Sequence, residues 1–209
     1  MGHMGAVRTI LFLLFAPVAH ACASTRLLTL KWLDDFIIGH KLCPFAAAAR
    51  RSTRVVVEQG DERAALMTIE SELHSLRAVP TDKAATTLVV LPRLQSFEAL
   101  MQFRGSAEGI AEADVQAARV QVLAFHPDAA FGYDDDDPAD WSMRSPFPML
   151  HLLRDTDVEA ADKVWAAQHA PNDPPGIQER NAAYLRGLGR EAAASAARAC
   201  IRTFSDTID

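Results

Sequence analysis

Hydrophobic positions along the chain alternate between helical and strand spacing. Leu30, Leu33, Phe36 and Ile37 recur at helical spacing, which predicts an amphipathic helix from Leu27 to His40. Gly39 is a stop, and Pro44 cannot continue the helix, so Cys43-Pro44-Phe45 stands just beyond its end. Arg54–Glu58 reads as a first strand, followed by a Gln59-Gly60-Asp61 turn. Asp61 caps a helix with Ala65, Leu66, Ile69, Leu73 and Leu76 on one face, ending before Pro80. Thr86–Leu91 is a second strand, closed by Pro92. Ser96 caps a helix that buries Phe97, Leu100, Met101 and Phe103 and runs toward Glu112. Val120–Phe125 is a third strand.

The loop over 127–147 is long for a compact domain, and such loops carry function or lack order. Met149–Leu153 is a fourth strand. Thr156-x-x-Glu159 has the form of a capping box before a helix with Val158, Ala161, Val164 and Trp165. Asn172–Gly176 breaks the chain. Ile177, Asn181, Tyr184, Leu185 and Leu188 mark another helix, and an Ala-rich helix reaches about Phe204. This order, β-α-β-α-β-β-α, predicts one α/β domain. It has a small, mainly parallel sheet covered by helices on both faces, with the fourth strand antiparallel. The arrangement is thioredoxin-like in architecture only. Cys43 precedes the first strand and stands alone, so the redox motif of that fold is missing.

Net charge of −6 disfavours a broad basic face, and with it nucleic acid or a lipid surface as partner. Residues 1–24 read as a targeting segment. Arg8 is the positive region, Ile10–Ala19 is a short apolar run, and Ala19-His20-Ala21 has the small-x-small form of a cleavage site. The expected destination is the secretory pathway or an organelle, a plastid included, with the cytoplasm as alternative and no integral span in the mature chain. The domain then covers 25–204, and 205–209 frays. Cys22, Cys43 and Cys200 share no zinc-ribbon spacing, which leaves a Cys43–Cys200 disulfide and free thiols both open.

Candidate chemistry concentrates in 120–154. His126-Pro127-Asp128 ends the third strand, where open α/β sheets keep their sites. Its imidazole suits proton transfer or a metal, and the alternative is a histidine that braces the loop. His151 lies among apolar neighbours on the fourth strand, so a core histidine is the competing reading. Arg144, in a loop braced by Ser145, Pro146 and Pro148, suits a bidentate grip on carboxylate or phosphate. A salt bridge to the Asp134–Asp137 run is the competing role. That run lacks the spacing of a calcium loop and reads as solvated. Arg154 either pairs with Asp155 or Asp128 or meets ligand. Cys43 at a helix C-terminal end is a poor nucleophile unless a His or Arg sits close, because that end raises a thiol pKa; structural, metal-ligand and catalytic nucleophile roles stay open for it.

Four segments together, "LCPFA", "FHPD", "RSPFPMLHLLRD" and "ERNAAYLRGLG", resemble the family called domain of unknown function 1415 over roughly 27–190. The resemblance implies a fold and a residue set more than an activity. It marks Cys43, Pro44, His126, Pro127, Asp128, Arg144, Ser145, Pro146, His151, Arg154, Arg180 and Asn181. Arg180 and Asn181 are either packing residues or substrate contacts. Three positions depart from the family's preferences: His40-Lys41 in place of Leu-Asn, Met143 in place of Asn, and Ala130 in place of an aromatic. Where those positions touch ligand, the departures imply altered specificity or the loss of part of the activity.

The leading functional expectation is an enzyme, a transferase or hydrolase, acting on a small anionic metabolite. Arg144, Ser145 and Arg154 would bind the anion, His126 or His151 would be acid or base, and Asp128 would orient a histidine. A second reading is a zinc or copper site built from Cys43, His126 and His151. A third is a binding module without chemistry. Oligomeric state is open.

Overall fold

The structure, a computed structural model, describes residues 21–114, 116–131, 137–168 and 176–201. Helix α1 covers 21–38 and opens into π-helical turns over Leu33–Ile38. Residues 21–24 are helical and continuous with it, so this helix begins earlier than the pattern predicts. Of the expected leader over 1–24, residues 1–20 lie outside the described residues, as do Asp134–Asp136 and the tail after Ile201. A Cβ at Gly39 would overlap the carbonyl oxygen of Asp35, which is why the π-turn closes on glycine.

Pro44, expected only to end α1, also opens a new helix. It occupies the first turn of α2 (Pro44–Ala49), where its missing N–H has no partner to lose. Helices α3 (Glu62–Arg77) and α4 (Phe97–Ala113) are capped as expected. The Asp61 carboxylate accepts from Ala64 N at 2.9 Å, and the Ser96 hydroxyl accepts from Ala99 N at 3.1 Å. A short 3-10 helix, Pro138–Ser142, sits within the long loop. Three further helices complete the chain: α5 (Asp155–Gln168), α6 (Ile177–Leu188) and α7 (Arg190–Ile201). α5 starts directly after the fourth strand, ahead of the expected capping box.

The strands are β1 (Thr53–Val57), β2 (Thr86–Val90), β3 (Val120–Phe125) and β4 (Met149–Arg154). They form one sheet in the order β1-β2-β4-β3. β1 and β2 pair in parallel, and β4 is antiparallel to both β2 and β3. Three strands therefore share a direction and the fourth opposes them, as expected. β4 enters between β2 and β3, which is why every residue of β2 and β4 is buried while β1 and β3 are edges.

Helices cover both faces. Ile69, Leu73, Leu100 and Phe103 of α3 and α4 pack on Val89, Val122, Ala124, Leu150 and Leu152. Trp32, Phe36 and Ile37 of α1, with Leu185 of α6 and Ala193 and Ala197 of α7, pack on Val55, Leu88, Val90, Phe125 and Met149. Strict alternation along each strand sends successive residues to opposite layers. Among the described residues no helix is long and apolar enough to cross a membrane.

Candidate functional site

His126 follows the last residue of β3 and is 1% exposed. Its Nδ1 accepts the Asp128 backbone N–H at 3.0 Å. The neutral ring therefore carries its proton on Nε2, a buried atom with no partner among the described residues. Asp128, expected to orient a histidine, meets this one through its backbone amide. Its exposed carboxylate stands 3.9 Å from Nδ1, beyond hydrogen-bond reach. The ring lies 5.9 Å from Phe97 of α4, so it continues the Val122–Ala124 alternation toward α3 and α4.

His151 faces the other layer. It pairs across the sheet with Leu123 and Leu88, and its ring lies 6.0 Å from Phe125. Its Nε2 meets the Thr86 hydroxyl oxygen at 2.6 Å. Burial lowers its pKa from 6.5 to about 4, so the ring is neutral at physiological pH. β3 and β4 are neighbours, the condition under which the two histidines were expected to converge. Parity prevents it: His151 is registered with Leu123, an odd number of residues from His126.

That separation divides the expected metal set of Cys43, His126 and His151. Among the described residues no three His, Cys, Asp or Glu side chains gather closely enough to hold a metal ion. Cys43 and His151 do line one cavity, on the α1 side of the sheet. Cys43 is also the N-cap residue of α2, not simply a residue after a helix end. Amides of Phe45 and Ala46 favour the thiolate, but burial outweighs them and raises the thiol pKa. Cys22, Cys43 and Cys200 are free thiols, so the Cys43–Cys200 bridge does not form here.

Arg144 takes part in an arrangement that the pattern of the chain conceals. Its Nε donates to Ala129 O at 3.0 Å, and its guanidinium lies 4.5 Å from the Trp141 ring centroid. The guanidinium of Arg198 approaches the same ring at 5.5 Å. Arg144, Arg190 and Arg198 line one open cavity of about 430 Å³ with Trp141, Glu191 and Ala194. Among the described residues its lining carries three arginines and one carboxylate, in a chain of net charge −6. The expected partner of Arg144, the acidic run, does not claim it within the described residues: Asp137 pairs with Arg186 at 2.6 Å instead. Arg190 and Arg198 escaped the sequence reading. The signal was there in their spacing with Ala194, which places all three on one face of α7.

Arg154 is placed elsewhere and is fully engaged. It is 1% exposed and grips Asp157 through Nε at 2.7 Å and Nη2 at 3.1 Å. Its remaining donors reach the carbonyls of Val79 and Lys83, both at 2.6 Å. The expected ion pair with Asp155 or Asp128 is thus replaced by one with Asp157. Arg154 lies at the opposite end of β4 from Arg144, roughly 20 Å along the strand, so the two do not share a clamp. Ser145 is sealed, donating to Phe147 O at 2.7 Å to hold the turn. Asn181 donates to Leu42 O at 2.7 Å, and Arg180 donates to Lys41 O at 2.9 Å. This pair fastens α6 to the segment before Cys43.

The three departures fall in different settings. Lys41 has φ of 55°, a left-handed position that asparagine or glycine fills more easily. Met143 lines the cavity shared by Cys43 and His151, and its carbonyl accepts from His126 N at 3.2 Å. Ala130 is exposed.

A family model described as protein of unknown function (DUF1415) matches residues 25–195. No curated protein and no solved structure matches the chain.

Proposed function

The chain belongs to the DUF1415 family, and from that premise we propose that it binds a small anion in the pocket of Arg144, Arg190 and Arg198. The observation that carries this reading is the convergence of three guanidinium groups on one cavity floored by Trp141. Nη1 and Nη2 of Arg144 have no partner among the described residues, and its Nε bond and ring contact hold the plane in place. A fork fixed in this way suits a carboxylate or phosphoryl group. Neither His126 nor His151 lines this pocket. The reading is therefore of binding; among the described lining residues only the Glu191 carboxylate could exchange a proton with the anion.

Titration calorimetry with inorganic phosphate, pyrophosphate and citrate tests it. At least one of these anions binds the intact chain, and Arg144→Ala with Arg198→Ala abolishes that binding while the protein stays folded. Unchanged affinity in the double variant, or no binding by the intact chain, overturns the reading.

A further inference from the structure

A second cavity, which shares no lining residue with the arginine pocket, lies on the α1 side of the sheet. It holds about 240 Å³ and is bounded by Trp32, Cys43, Leu123, Phe125, His151 and Asn181. Its walls are mainly aromatic and aliphatic. Trp32 and Phe125 meet edge to face, with centroids 5.5 Å apart, and Phe125 lies 6.0 Å from His151. Space of this size accommodates a substituted six-membered ring; an apolar cavity of roughly 150 Å³ is enough to take up benzene. Among the described residues no lysine or arginine lines it, so no cation there would compensate a buried anion.

Gln121, Ser142, Asp162 and Gln178 also line this cavity, and Trp32 Nε1 is sealed without a partner among the described residues; the groups nearest the sheet can be assigned one by one. Asn181 is committed to Leu42 O and Arg180. Burial keeps the Cys43 thiol protonated. The Thr86 hydroxyl has one proton, and Leu152 O, which can only accept, receives it at 2.8 Å. Thr86 Oγ1 must therefore accept from His151, which places the imidazole proton on Nε2. Nδ1 is left with a lone pair and no partner among the described residues. It is not one of the sealed polar atoms, and His151 lines the cavity, so the lone pair opens on it.

We infer that this cavity is a binding site for a small uncharged ring compound that donates one O–H or N–H to His151 Nδ1. The sheet fixes the acceptor: His151 lies between β2 and β3 and is held by Thr86, so it cannot turn its proton inward without setting Thr86 Oγ1 and Leu152 O 2.8 Å apart with no proton between them. At His151 an occupant that offers only acceptors meets a lone pair and is disfavoured there. A ligand with a donor at one end and an apolar body satisfies both the ring walls and Nδ1.

The test uses 4-methylphenol and p-xylene, which match in shape and differ in the hydroxyl donor, with 4-methylbenzoate as the anion. Calorimetry on the intact chain is paired with the ¹⁵N shift of the His151 ring. The expected result is that 4-methylphenol binds about tenfold more tightly than p-xylene, the range of one neutral hydrogen bond. It moves the Nδ1 resonance, and 4-methylbenzoate does not bind here. His151→Leu brings the two neutral probes to equal affinity. Ala161→Phe, which fills the cavity from α5, abolishes binding of both, with the fold verified by circular dichroism. No binding of 4-methylphenol, equal binding of the two neutral probes by the intact chain, or binding that survives Ala161→Phe would each overturn the inference. Anion binding at Arg144 is read separately and does not depend on the outcome.

Discussion

The imidazole of His151 and the hydroxyl of Thr86 meet at 2.6 Å across the β2–β4 ladder. Thr86 is registered with Leu153, and Leu88 with His151, so the pair is diagonal on one face of the sheet. Thr86 passes its own proton to Leu152 O at 2.8 Å, so the contact has a direction as well as a length. It ties a buried neutral histidine to the centre of the fold.

That histidine makes stability depend on pH in a predictable sense. Burial holds it at about 4, against 6.5 for an ordinary histidine. Between those values the unfolded chain binds more protons than the folded one. Stability is then complete above about 6.5, falls as pH drops through that window, and levels off below about 4. The full span corresponds to about 3 kcal/mol. Urea denaturation of the wild type and of His151→Leu at pH 7.5 and 4.5 should show a smaller acid loss in the variant. Parallel losses would mean that the ring is not buried as described.

Removing the guanidinium of Arg154 should damage folding and spare binding. Arg154→Met strands Asp157, which is 6% exposed, and frees the carbonyls of Val79 and Lys83. A loss of about 3–5 kcal/mol is expected from leaving one member of a buried pair. Asp157→Leu on the same background should restore part of it. Phosphate titration of the surviving folded protein should match wild type, since the residue is remote from Arg144.

Lys41 sits in left-handed backbone at φ of 55°. Lys41→Gly should stabilise the chain by about 0.5–1 kcal/mol, and Lys41→Asn by less. The carbonyl that accepts Arg180 is backbone and persists in both variants. Thermal melting distinguishes this from a lysine held for a ligand, whose loss would leave melting unchanged or lower it.

The arginine pocket should respond to salt and to charge. Anion affinity should fall with ionic strength, because the cavity is open to solvent and screened. Arg198→Glu should weaken anion binding by more than tenfold, adding repulsion to the lost cation, with little change in melting temperature because residue 198 is exposed. A salt-independent affinity would argue against a site built on charge.

Burial should make Cys43 slow to react. Its thiol pKa is raised from 9.0, so little thiolate is present near neutral pH. Alkylation by iodoacetamide at pH 7.5, followed by peptide mass spectrometry, should proceed more slowly at Cys43 than for free cysteine. Equal rates would show that the amides of Phe45 and Ala46 outweigh burial.

Much of the architecture is readable along the chain. Hydrophobic runs bounded by Pro92, Asp61 and Ser96 locate the strands and helix starts, because capping and periodicity are local effects. The direction of β4 is readable as well. Its insertion between β2 and β3 is not, since nothing local in Met149–Arg154 states which strands it will join.

The site follows the same division. Residue types at strand ends and in the long loop identify Arg144, His126 and His151 as chemically capable, and the chain alone is sufficient for that. Which of them meet depends on register and crossover. A side chain's face is set by counting from its cross-strand partner, and that partner is chosen by packing over distances the local pattern does not encode. So His126 and His151, on adjacent strands, point into different layers. Arg144 finds company instead on α7, where the spacing of Arg190 and Arg198 gives a shared face but does not state what that face will meet.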